Sequence, residues 1–216
     1  MKKIYITGCA KSGTTLMLDM FRAFDRTWVI SGETQLQDFC DLKKEDVGDY
    51  DFVVAKRSHD TVFSCASLKQ SDIDRQLKLI KDNDINSINM VRDGRNVVSS
   101  FVKDWGLYNP FEWMRCIDQS DRYWYIIECM CYYESLVSEP NKVQKSLSTR
   151  FGLIANKPFE HYPLFIEDKE QRKGNYTYRP LDKSRLKVDE ATYLQSPNDV
   201  VYFDSLLKKL GYRCVE

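Results

Sequence analysis

Two glycines set five residues apart, Gly8 and Gly13, constrain this chain more than any other feature. A short β-rich run, Lys3 to Thr7, feeds into them, and Leu16, Met17, Met20, Phe21 and Phe24 then recur at helical spacing. The segment therefore reads as strand, glycine loop, helix. A turn of that kind leaves backbone amides and a helix start facing the same way, an arrangement suited to a phosphate-like anion. Gly8 to Thr15 nearly matches the phosphate-loop pattern G-x-x-x-x-G-K-[ST], with Thr15 at the hydroxyl position but Thr14 where the lysine belongs. Lys11, inside the loop, offers a cation from a different direction.

Further strands are expected at Trp28 to Ile30, Phe52 to Ala55 and Ile85 to Val91, each followed by polar or turn residues and then helix-compatible sequence. Strands alternating with helices indicate βαβ units, hence an α/β fold with a central, mostly parallel sheet between two helical layers. From Pro110 to Ser138 the chain is aromatic and amphipathic and reads as one or two helices, whose Trp113, Tyr123, Trp124, Tyr125, Tyr132 and Tyr133 are expected chiefly in helix packing. Lys157 to Lys187, rich in Lys, Arg, Tyr and Pro and without periodicity, reads as a long loop over the sheet. Val200 to Leu210, ahead of Gly211, reads as a closing helix.

With 216 residues and no linker or repeat, one domain spanning 1–216 is expected. The 32 Lys+Arg balance 32 Asp+Glu, so no global field favours nucleic acid or a membrane surface, and an anionic ligand has to be held by a local cluster of donors. The seven Cys show no recurring spacing and read as reduced, mostly packed thiols. No His/Cys/Asp cluster has metal-ligand spacing, so no metal is expected. No apolar run of about 18 residues occurs, and Thr7, Gly8 and Lys11 interrupt the apolar stretch after Met1-Lys2-Lys3; the expectation is a cytoplasmic protein without a membrane span.

Lys11-Ser12-Gly13-Thr14-Thr15-Leu16 resembles the loop of sulfotransferases that use 3′-phosphoadenosine 5′-phosphosulfate (PAPS), where it binds the 5′-phosphosulfate. Met90-Val91-Arg92-Asp93-Gly94-Arg95, running on to Ser99-Ser100, resembles that family's 3′-phosphate segment, with Ser100 eight positions after Arg92. An Arg fork and a hydroxyl near a helix start suit a phosphate dianion. Tyr133-Glu134-Ser135-Leu136-Val137 with Pro140 and Phe151-Gly152-Leu153 is similar to a further family segment, and Arg172-Lys173-Gly174 resembles the element that closes over the nucleotide and contacts the 3′-phosphate. Arg179-Pro180-Leu181 with Ser184-Arg185 resembles a C-terminal segment of other members.

This resemblance implies the P-loop-like sulfotransferase fold, PAPS as sulfuryl donor with the 3′,5′-bisphosphate (PAP) as product, and a hydroxyl-bearing acceptor. Lys11, Ser12, Gly13, Thr14, Thr15, Arg92, Ser100, Arg172, Lys173 and Gly174 become the expected nucleotide contacts. The motifs are closest to the tyrosylprotein and carbohydrate branch, where the Glu of a segment like Val29-Ile30-Ser31-Gly32-Glu33-Thr34 is the base, so Glu33 is expected to deprotonate the acceptor. The small-molecule branch uses a His after the third strand, and Lys56-Arg57-Ser58-His59 offers His59 one place displaced. Lys56 stands where the family lysine neutralises sulfuryl and leaving-group oxygens. Gln35 and Gln37 occupy the stretch where tyrosylprotein enzymes carry an Arg, so a small molecule, lipid or glycan acceptor is as compatible as a peptide. Two alternatives stay open: a nucleoside or nucleotide kinase on the same loop, disfavoured by Thr14, and a nucleotide-binding member without transfer activity.

Overall fold

The computed structural model describes residues 1–58, 61–62, 68–162, 181, 183–188 and 197–213. Five strands form one sheet among them: β1 (Lys2–Gly8), β2 (Thr27–Glu33), β3 (Phe52–Lys56), β4 (Ile85–Val91) and β5 (Cys129–Tyr132). Their order is β2-β3-β1-β4-β5, and every neighbouring pair is parallel. β1 is central, with Ile6 registered against Lys56 of β3 and Gly8 against Met90 of β4. All of its residues after Lys2 are buried, because a central parallel strand is covered on both faces and shows no polar alternation.

Helices cover both faces. Ile4 and Ile6 of β1, Val54 of β3 and Ile88 of β4 pack with α1 (Thr14–Met20), α7 (Tyr133–Ser138) and α8 (Pro140–Phe151) through Met17, Leu18, Leu136, Leu147 and Phe151. Tyr5, Val53 and Ala55, pointing the other way by the two-residue period of a strand, pack with α2 (Leu36–Asp41) and α4 (Gln70–Asp82) through Phe39, Ile73 and Ile80. A short α3 (Lys44–Val47) joins the same cluster through Val47. A third cluster wraps the carboxyl ends of β1 and β4: Cys9, Ala10 and Val91 meet α5 (Gly94–Trp105), α6 (Pro110–Arg122) and α9 (Pro197–Lys209) through Phe101, Trp113, Phe203 and Leu207. This is the three-layer α/β arrangement that the alternating pattern indicated.

β4 has the boundaries expected from sequence, while β2 and β3 extend further, to Glu33 and Lys56. The segment Pro110 to Ser138 departs from expectation: between α6 and α7 it holds a 3₁₀ turn (Trp124–Ile126) and then β5. β5 is four residues long with only Cys131 buried, so its local pattern is too short to read; ladder bonds to β4 supply the preference that the sequence lacks. Trp113, Tyr123 and Tyr133 are buried as packing residues, whereas Trp124 and Tyr125 are 69% and 62% exposed. Of the segment read as a long loop, 163–180 lies outside the described residues; on either side of it, Phe159–His161 and Lys183–Leu186 form 3₁₀ turns. Cys9, Cys40, Cys116 and Cys131 are buried free thiols and Cys129 is a half-buried one. Among the described residues no helix is long and apolar enough to cross a membrane.

Candidate active site

Because all five strands run the same way, the residues that follow β1, β2, β3 and β4 emerge at one edge of the sheet. The chain leaves β1 toward β2 on one side and later crosses to β4 on the other. In such sheets the crevice outside the strand ends, where connections diverge, is where ligands bind. The glycine loop opens there.

The loop is closed internally. The carbonyl of Cys9 accepts both the Ser12 amide at 3.0 Å and the Ser12 hydroxyl at 2.5 Å. Ser12 therefore shapes the loop, and its side chain is turned to the loop's own backbone. Gly13 has φ +95°, and a Cβ there would stand 2.5 Å from Cδ2 of the Tyr133 ring, so the position needs glycine on both counts. Thr14 and Thr15 begin α1, whose first amides lack intrahelical acceptors. Lys11, at φ 66°, sends its side chain away from the loop. Its Nζ lies 2.9 Å from Asp104 Oδ2 and 4.3 Å from the centre of the Trp105 ring, both at the end of α5.

Arg92 follows β4 directly and is 8% exposed. Its Nη1 donates to the Lys11 carbonyl at 2.9 Å and lies 3.5 Å from Ser100 Oγ, while the guanidinium stacks 4.4 Å above Tyr133. The two residues singled out by their eight-residue spacing thus meet, because two turns of α5 bring Ser100 back over the end of β4. Ser100 donates to the Asn96 carbonyl at 2.7 Å, which orients its oxygen toward the arginine. Asp93 caps α5, accepting the Arg95 amide at 2.9 Å, and binds the Arg95 guanidinium through both carboxylate oxygens in a buried pair. The Tyr133 ring touches both Gly13 and Arg92, so one side chain joins the glycine loop to the arginine arm.

On the other side of β1, the β2–β3 register shifts between Val29 and Glu33, and Glu33 comes to pair with Lys56. The buried Lys56 Nζ donates to Glu33 Oε1. The Ser58 amide donates to Oε2 at 2.8 Å and the Ser58 hydroxyl to Oε1 at 3.0 Å. Partial burial pushes the Glu33 carboxyl up, but the Lys56 cation and the Ser58 hydrogen bonds outweigh it and hold the group below the ordinary carboxylate range. Close by on α1, burial raises the Asp19 carboxyl against the opposing pull of Arg22.

Of the residues expected from sequence, Lys11, Ser12, Gly13, Thr14, Thr15, Arg92 and Ser100 form one group around the loop, and Glu33 with Lys56 forms a second at the neighbouring strand ends. His59, Arg172, Lys173 and Gly174 lie outside the described residues. Sequence reasoning missed Asp104, Ser58 and the bridging ring of Tyr133. Ser58 was within reach, since it lies two positions after a strand-terminal lysine; Asp104 and Tyr133 reach the loop only through tertiary packing.

No family model matches the sequence, and no curated protein matches it. Solved structures do: the sulfotransferase domain from the Synechococcus PCC 7002 olefin synthase is 14% identical, with 100% of this chain and 96% of that one covered at a TM-score of 0.71. The sulfotransferase domain from the curacin biosynthetic pathway is likewise 14% identical, with 99% of both chains covered and a TM-score of 0.70. The architecture is that of a three-layer α/β domain with a glycine loop at the end of its central strand. More narrowly, it is the sulfotransferase fold.

Proposed function

We propose that the chain is a PAPS-dependent sulfotransferase that acts on a hydroxyl acceptor, an alcohol or phenol on a small molecule, glycan or peptide. The observation that carries this reading is the convergence of Arg92 on Ser100 and on the carbonyl of Lys11, which puts a cationic fork beside the glycine loop. Two anion-facing groups joined through one tyrosine suit a ligand with phosphates at both ends, and this donor set fits the 3′-phosphate and the 5′-phosphosulfate of PAPS. Arg92 and Ser100 would hold the first; Lys11 and the amides of Gly13 to Thr15 would hold the second. Arg172 and Lys173 are proposed as further 3′-phosphate contacts on the strength of the motif alone. The lysine that a β/γ-phosphate requires is replaced by Thr14, which favours a phosphosulfate over a nucleoside triphosphate.

PAPS supplies a sulfuryl group for in-line displacement at sulfur, in which the acceptor oxygen–sulfur bond forms as the sulfur–phosphate-oxygen bond breaks and PAP departs. The protein's work is placement and charge. Lys11 leaves Asp104, an exposed and therefore weak partner, to meet the phosphosulfate. Lys56 turns from Glu33 toward the charge that develops on the sulfuryl and leaving-group oxygens. Glu33 then loses the cation that keeps its pKa low, becomes more basic and takes the acceptor proton. Holding cation and base as a pair until the donor arrives stores both in usable form.

Thermal unfolding with PAP, with ATP–Mg²⁺ and with neither tests the donor, since a ligand at 100 times its Kd adds about 2.7 kcal/mol. A shift with PAP alone is expected, followed by PAPS turnover on a panel of alcohols and phenols. A shift with ATP–Mg²⁺ alone would move the reading to a kinase, and PAP binding without turnover on any acceptor would leave a nucleotide-binding protein.

A further inference from the structure

The turn that presents Arg92 is held by two hydrogen bonds, the second of them backed by a third. The buried Trp113 Nε1 donates to the Arg92 carbonyl at 2.9 Å. The Asp93 amide donates to Glu134 Oε1 at 3.0 Å. The other oxygen of that carboxylate accepts the Tyr212 hydroxyl at 2.8 Å. Tyr212 follows α9, 78 positions along the chain from Glu134, and its ring packs edge-on against Tyr132 with centroids 6.3 Å apart. Burial and the Glu134 charge push the Tyr212 hydroxyl far above its ordinary range, so it stays protonated and remains a donor.

Glu134 immediately follows the tyrosine that carries the Arg92 guanidinium, so one short helix start holds the arginine at both ends. Tyr133 supports the side chain, and Glu134 holds the backbone one residue beyond it. The carboxylate oxygens are both engaged by neutral donors, an arrangement that fixes Glu134 in place and lets it act as a strut. Asp93, whose amide meets the strut, also caps α5, which carries Ser100. Displacing Glu134 would shift Arg92 relative to Ser100 and to the Lys11 carbonyl, while the glycine loop keeps its own closure through Ser12 and the Cys9 carbonyl.

We propose that Glu134, clamped by the Tyr212 hydroxyl, is a positioning residue that sets Arg92 for a 3′-phosphate, so that the segment after α9 tunes discrimination between 3′-phosphorylated and plain adenosine nucleotides. This rests on the bisphosphate-nucleotide reading above. The strut itself touches no ligand; its effect passes through Arg92.

The test compares PAP and 5′-AMP affinities by calorimetry in the wild type, Glu134→Ala, Glu134→Gln, Tyr212→Phe and Arg92→Ala, with thermal unfolding of each. The wild type is expected to prefer PAP, and Arg92→Ala to abolish that preference. Glu134→Ala should lower PAP affinity about tenfold with AMP affinity unchanged, the size expected when a buried donor loses its partner. Glu134→Gln should restore the ratio, because an amide oxygen still accepts the Asp93 amide while its NH₂ can donate to the Tyr212 oxygen. Tyr212→Phe removes one hydroxyl with little effect on packing, and should lower the ratio about threefold even if Glu134→Ala folds poorly. A wild-type PAP-to-AMP ratio retained in Tyr212→Phe, or equal losses for both nucleotides in Glu134→Ala, overturns the proposal. No PAP preference in the wild type overturns the bisphosphate reading along with it.

Discussion

The Glu33 carboxylate accepts from three donors at once, the Lys56 ammonium and the amide and hydroxyl of Ser58. Its folded-state pKa therefore lies below the unfolded value. A depressed carboxylate contributes stability above its unfolded pKa and loses that contribution as pH falls through the folded one. We expect Glu33→Gln to cost about 2 kcal/mol at pH 7, where it strands a buried lysine, and the deficit to shrink toward zero below about pH 4. Thermal melts of both proteins from pH 7 to pH 3 check this; a deficit that grows on acidification would contradict the ion pair. Lys11 should behave in the opposite way. Its pair with Asp104 is exposed, with 25% and 51% of the two side chains accessible, so Lys11→Ala should change stability by under about 1 kcal/mol. Turnover should nevertheless fall by roughly 10²–10³-fold, as when an oxyanion donor is lost, and melts beside single-turnover rates separate the two effects. Lys11, Glu33, Lys56, Arg92 and Ser100 were singled out in the sequence by motifs that resemble sulfotransferase segments, and the structure brings them to one edge of the sheet. Asp104 was not singled out, since pairing through space leaves no mark on local order.

At the level of elements, the strand–loop–helix units were readable because apolar runs and the glycines delimit them. β5 was unreadable because four residues cannot establish a period, and its partner β4 lies about 40 residues upstream. Its placement matters to the site, since α7 starts directly after it and brings Tyr133 against Gly13 and Arg92. Gly13→Ala would therefore meet two penalties, a left-handed φ and a Cβ 2.5 Å from the Tyr133 ring. We expect a loss of about 1–3 kcal/mol together with weaker PAP binding, because the ring moves only by releasing Arg92. Coupling the same change with Tyr133→Ala should recover part of the stability but none of the affinity, a comparison that melts and calorimetry on the double mutant make directly.

For the whole molecule, the sheet order places the glycine loop at the centre, with the Glu33–Lys56 pair on one side and Arg92 on the other. The sequence supplied the pieces of this arrangement without the closing contact, because the α9 pattern says that a helix forms and not where it docks. It docks on α6, where Tyr202 donates to Asp118 at 2.5 Å, Lys209 pairs with Asp121 at 2.7 Å, and Phe203 packs on Trp113 with ring centres 4.7 Å apart. Phe203 and Trp113 also crowd Gly94, where a Cβ would lie 2.7 Å from the first ring and 2.6 Å from the second. Helix α9 thus bears on the first residue of α5, next to the turn that carries Arg92. Phe203→Ala should cost about 3–5 kcal/mol, or roughly 10 °C for a chain of this size, by leaving a cavity beside Trp113. The loss should reach the site unevenly. With Trp113 and α9 loosened, both the hydrogen bond to the Arg92 carbonyl and the Tyr212 strut relax; Cys9 shares that cluster, but the two Ser12 hydrogen bonds to its carbonyl keep the glycine loop closed. PAP affinity measured well below the melting temperature should therefore drop several-fold while AMP affinity holds; equal retention of both would mean that α9 stabilises the fold without bearing on the site.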